Sequence, residues 1–83
     1  MPVAAAFDGI KILFYHEEHP PPHFHARYGE HEAMISIETL EVLQGSVPRP
    51  QLRKVLGWAA SRKRQLELAW LACESDAAPG KIS

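Results

Sequence analysis

The chain has 83 residues, 46% of them hydrophobic and 23% charged, and a formal net charge of -1. That length allows one domain, residues 1–83, and the apolar share suits a folded chain rather than a disordered one. No apolar run approaches the roughly 18 residues that a transmembrane helix needs, and Met1–Asp8 lacks the basic start of a secretory leader. With a single cysteine, Cys73, neither an intrachain disulfide nor a thiolate metal cage can form. These features point to a reducing, cytoplasmic setting.

The first half reads as short strands between about residues 9 and 44. In Gly9–Tyr15 the residues Ile10, Ile12 and Phe14 alternate with Lys11, Leu13 and Tyr15, the period of a strand. The stretch His16–Pro22 ends in three prolines, which lack amide donors and stiffen the chain into an extended loop. His23–Tyr28 alternates again. Phe24, Ala26 and Tyr28 are predicted to face the core, leaving His23, His25 and Arg27 on the opposite face. Gly29-Glu30 is a two-residue turn into His31–Ile37, where Ala33, Ile35 and Ile37 alternate. A second turn near Glu38-Thr39 leads to a short fourth strand, Leu40–Leu43. Short connections imply antiparallel neighbours, hence a β-meander.

Gly45–Pro50 marks a change of period, and a helix is predicted over about residues 49–74, with a frayed tail over 75–83. Leu52, Ala59, Leu66 and Cys73 recur seven apart, with Leu56 and Trp70 on the accompanying row. Gly57 is the expected site of any bend. Unbroken, such a helix would be about 37 Å long, longer than a domain of this size is wide, about 30 Å. An end carrying Leu66, Trp70 and Cys73 would then overhang the sheet and seek a homodimer or another partner. The fold expected is α+β, with an antiparallel sheet of three or four strands packed by one long C-terminal helix.

The charge is unevenly placed. Residues 1–48 carry two basic side chains against seven acidic ones, whereas residues 49–83 carry seven basic against three acidic. Arg49, Arg53, Lys54, Arg62, Lys63 and Arg64 fall in one stretch without an acid, a candidate surface for RNA or another anion. The bland alternative is the solvated face of a helix.

All five histidines fall between positions 16 and 31. Two apart on a strand, His23 and His25 share a face and can chelate one divalent ion such as zinc, with His19 or His31 as a third nitrogen and Glu17, Glu18 or Glu32 as an oxygen. The same pair, with Arg27 to steady a phosphate, can instead do metal-free acid–base work on RNA. Polar outward residues on a half-solvated sheet are the plain alternative to both. Cys73, on the apolar row, reads as packed rather than reactive.

Pro21-Pro22-His23-Phe24-His25-Ala26 is a distinctive hexapeptide. With it, the chain resembles the domain of unknown function 4160 family, whose hallmark is this motif with a histidine shortly before it, here His19. The likeness takes in Phe7, Gly9-Ile10, Tyr28-Gly29, Ile37-Glu38-Thr39, Gly45, Pro48-Arg49, Trp58-Ala59 and Trp70. It implies a short cytoplasmic protein encoded beside another small protein in a toxin–antitoxin-like arrangement, and therefore a small protein partner. A ribonuclease or metal-dependent hydrolase centred on His23 and His25 is the alternative. Leu40 stands where the resemblance leads one to expect a turn glycine, so a left-handed turn there would be strained. Arg62 and Ala69 stand where histidine and asparagine are common.

Overall fold

The structure is a computed structural model that describes residues 3–15, 19–74 and 82. Among these, the chain forms five strands and two helices: β1 (Val3–Phe7), β2 (Ile10–Leu13), β3 (His23–Tyr28), β4 (His31–Ser36), β5 (Val42–Ser46), α1 (Arg49–Ala60) and α2 (Lys63–Glu74). The strands make one antiparallel meander in the order β1-β2-β3-β4-β5. The α+β class is as expected, but there are five strands rather than three or four, and two helices rather than one.

The additional strand is β1. Its Val-Ala-Ala-Ala-Phe run is too rich in alanine to announce a strand. The turn after it does announce a hairpin: Asp8 and Gly9 take φ of 49° and 77°, and Phe7 pairs with Ile10 across them. Two positive φ values in a two-residue loop match the twist of the flanking strands, and Asp-Gly is the sequence best suited to supply them. At the next hairpin Gly29, with φ 57°, turns the chain between the paired Tyr28 and His31, as the sequence predicts.

The fourth predicted strand is displaced. Leu40 belongs to the turn, with φ 60°, and β5 begins at Val42. The turn is closed by Leu40 N–H donating to the Ser36 carbonyl at 2.9 Å and by Ser36 N–H donating to the Glu41 carbonyl at 2.9 Å. Those bonds hold a leucine in a left-handed conformation that costs a non-glycine residue roughly 1–2 kcal/mol. Gly45 is required by its neighbour: a Cβ there would lie 2.2 Å from the Glu32 carbonyl oxygen. Pairing between β4 and β5 slips by one residue near Ile35, a bulge on this edge of the sheet.

The helix breaks at Ser61-Arg62, not at Gly57, which lies within α1. Arg62 N–H donates to the Ala59 carbonyl, and the Arg62 guanidinium donates to the Trp58 carbonyl at 2.9 Å while lying 5.3 Å from the Trp58 ring centre. The last turn of α1 is thus closed by the side chain that follows it. Two helices of 12 residues fit a molecule of 33 × 24 × 21 Å, so the expected overhang does not arise. Leu66, Trp70 and Cys73, expected to seek a partner, are buried in the chain's own core.

That core lies on one face of the sheet. Ile10, Ile12, Phe14, Phe24, Ala26, Ala33, Ile35 and Ile37 meet Val55, Ala59, Leu66, Ala69, Trp70 and Cys73. Of the tail expected to fray, residues 75–81 and 83 lie outside the described residues. Ile82 does not fray: it is buried, and its N–H donates to the Ala4 carbonyl of β1 at 2.7 Å.

Candidate functional site

Strand alternation places Lys11, Leu13, His25, Arg27, Glu32 and Met34 on the face away from the helices, because Lys11 pairs with Arg27, Leu13 with His25, His25 with Met34 and Arg27 with Glu32. Four side chains there form one network around Glu32. Tyr15 donates its hydroxyl to the Glu32 carboxylate, at 3.2 Å from each oxygen. Arg27 donates to Glu32 Oε1 through Nε at 3.1 Å and Nη2 at 3.0 Å, and Nη2 also reaches the Tyr15 oxygen at 3.3 Å. His25 Nδ1 lies 3.2 Å from Glu32 Oε2, and the His25 ring meets the Tyr15 ring edge-on with centres 4.3 Å apart.

One carboxylate thus orients an imidazole, a guanidinium and a phenol. Burial, then the Glu32 carboxylate beside it, pushes the Tyr15 phenol above its ordinary range, because both disfavour a phenolate. The hydrogen bond to Glu32 holds Arg27 more firmly protonated still. Beside the network, His25, Glu32, Met34, Gln44 and Gly45 line a hollow of about 180 Å³.

His23 shares a face with His25, as alternation predicts, and their ring centres are 5.3 Å apart. It is nevertheless buried, 3% exposed, with the Trp70 ring of α2 centred 4.9 Å away. Its Nδ1 lies 2.7 Å from the Pro21 carbonyl oxygen, which only accepts, so Nδ1 carries the hydrogen. His31 lies at the other end of the sheet: it pairs with Tyr28, whereas His23 pairs with Ser36. Sharing the face of Tyr28, His31 also stands on the opposite side of the sheet from His25. His19 is exposed in the loop before β3. Glu17 and Glu18 lie outside the described residues.

Of the candidate donors, His25 and Glu32 are the two that the described residues bring together, where a zinc site takes three or four. Among the described residues no group of three or more His, Cys, Asp or Glu side chains converges. Tyr15 was the member least visible in the sequence. The signal was its parity: it follows Lys11 and Leu13 on the odd-numbered face of the β2 segment.

The basic stretch is divided between the two helices by the break at Ser61-Arg62. Arg49 and Arg53 are exposed at the start of α1, and Lys54 lies 3.5 Å from Asp8. Arg62 is turned onto Trp58, Lys63 donates to the Glu38 carbonyl at 2.8 Å, and Arg64 borders a second hollow on α2. Burial pushes the Cys73 thiol up, in keeping with a packed cysteine rather than a reactive one.

Among the described residues no helix is long and apolar enough to cross a membrane. No curated protein and no solved structure matches the chain. A family model does, that of Domain of unknown function (DUF4160), over residues 9–71. That span takes in the hexapeptide at residues 21–26, the whole Glu32 network and both helices up to Leu71, and the chain belongs to the DUF4160 family.

Proposed function

We propose that the chain is the protein-binding member of a two-protein, toxin–antitoxin-like pair, and that it takes its partner along β5 and the adjoining hollow beside Glu32. The contrast between the two edges of the sheet carries this reading. On β1 the Ala4 carbonyl already accepts from the Ile82 N–H. All five residues of β5 are exposed, Val42 at 39% and Leu43 at 42%, and none is charged or a proline. An exposed, uncharged edge that carries Val42 and Leu43 is a place where a second protein adds a strand. Next to it lies the hollow lined by His25, Glu32, Met34, Gln44 and Gly45, which offers hydrogen-bonding groups for specificity. The paired-protein arrangement itself rests on the family resemblance.

The test is co-expression with the protein encoded by the adjacent gene, followed by light scattering on the purified material. A stoichiometric complex is expected, and Leu43→Lys should weaken it at least about tenfold by placing charge on the edge. A chain that ignores its neighbour would overturn the reading.

A second reading is favoured by one observation, the Glu32 carboxylate on His25 Nδ1. A carboxylate-oriented imidazole is suited to proton transfer, and Arg27 beside it to a phosphate, so RNA cleavage would be centred on His25 and Glu32 rather than on the buried His23. Purified chain should then cleave RNA with a bell-shaped pH profile, and His25→Ala should lower the rate by at least about 10²-fold.

A further inference from the structure

We infer that α2 pairs with α2 of a second copy, antiparallel, through Leu68 and Leu71. The starting point is a mismatch within the helix. α2 opens with Lys63-Arg64 and no acid, and closes with Glu74 and no base. A helix carries partial positive charge at its N-terminus and partial negative charge at its C-terminus, so both ends of α2 bear the unfavourable sign. Lys63 is turned away to the Glu38 carbonyl. Arg64 remains on the outer side of the helix, with Glu67, Leu68 and Leu71 following at helical spacing.

The face these residues make sets Leu68 and Leu71, with Glu67 beside them, between Arg64 and Glu74. Leu68 and Leu71 are each 55% exposed, the largest exposures among the big apolar side chains of the core-forming elements. Beside them Pro22, Arg64, Glu67, Leu68, Trp70 and Leu71 enclose an open hollow of about 330 Å³. The stripe is its own complement when reversed. If a two-fold axis passes between positions 69 and 70, Leu68 meets Leu71 of the other copy, and each Arg64 comes within one residue of the position opposite the other copy's Glu74. Each basic helix start then faces a carboxylate and the carbonyl end of a neighbouring helix, which relieves both mismatches. A parallel pair would set Arg64 against Arg64, so charge selects the antiparallel one. The hollow accepts the opposite leucine. This pairing uses neither β5 nor the hollow beside Glu32, and it is read on the chain alone, so it stands apart from the partner proposed above.

A contact between two helices of 12 residues is small for a stable dimer, so a dissociation constant on the order of 10 µM is expected. Sedimentation equilibrium on the full chain should show monomer at about 1 µM and dimer at about 100 µM, as that constant requires. Leu71→Lys should leave the circular dichroism unchanged, since the side chain is exposed, and should abolish the dimer. Arg64→Glu and Glu74→Arg should each weaken dimerisation about tenfold, and the double variant should restore it. A chain that stays monomeric at about 100 µM overturns the inference. So does a dimer that survives Leu71→Lys, or a double variant as weak as the single ones.

Discussion

Phe24 and His25 are neighbours on β3, yet they occupy opposite environments. Phe24 is fully buried, with Ile35 as its partner on β4 and the helices packed over that face. His25 faces the other way, with its Nδ1 3.2 Å from the Glu32 carboxylate and its ring edge-on to that of Tyr15. The helix side is held by the removal of apolar area from water, which is non-directional and large in sum. The far side is held by directional bonds among groups that water also solvates, so each is worth less to stability. It does arrange chemically useful groups in fixed positions. Within one strand the sheet separates what holds the protein together from what it presents.

The sharpest way to break that comparison is Phe24→Ala. Removal of a fully buried ring should cost about 3–5 kcal/mol in urea unfolding. A cost near that of a surface change would mean that the helix side is not the core. His23→Ala falls between the two faces: the residue shares the side of His25 but is buried beneath Trp70. About 1–3 kcal/mol is expected by the same measurement, and a value within about 0.5 kcal/mol of zero would mean that the Trp70 contact adds nothing.

Glu32→Gln probes the network itself. It keeps the shape and removes the charge, and should cost about 1 kcal/mol or less, because the carboxylate is partly solvated. The loss should shrink in high salt. A cost as large as that of Phe24→Ala would make the network, not the core, the main support of the fold.

The smallest effect concerns Tyr15. Its phenol is raised by burial first and by Glu32 second, so the folded chain keeps this proton where the unfolded chain has lost it. That contribution to stability is complete below about pH 10, the unfolded value, and is lost as pH rises through the folded value. In phenolate absorbance, with Tyr15→Phe as the blank, Tyr15 should ionise above the ordinary phenol range. In Glu32→Gln it should move part of the way back, burial remaining. Ionisation of Tyr15 in the ordinary range in the intact chain would show that the network exerts no hold on it.

Much of this division is legible in the sequence. Alternation in His23–Tyr28 assigned Phe24 and Ala26 to one face and His23, His25 and Arg27 to the other, and the pairing of β3 agrees. Leu40 reads from its residues as the start of a strand, and only the family resemblance, which sets a turn glycine there, hints at the left-handed turn that its φ of 60° shows. The strand β1 was not legible from its residues, because alanine has no strong preference for a strand, although Asp8-Gly9 carried the hairpin signal. The helix break was hidden for a different reason. The row Leu52, Ala59, Leu66 and Cys73 runs through it without losing phase, while the break depends on Arg62 turning back onto Trp58.

What the sequence determined by itself is local: the period of the strands β2 to β4, the turn chemistry at Gly29, and the apolar stripe of the helices. These follow from backbone sterics and from the need to bury one face, both of which act over a few residues. Tertiary structure decided the company each side chain keeps. Glu32 meets Tyr15, which is 17 positions away, because β2 and β4 flank β3. His23 is covered because α2 brings Trp70 over the start of β3. Pairing register and helix placement are set by the whole core at once, and no window of residues along the chain contains them.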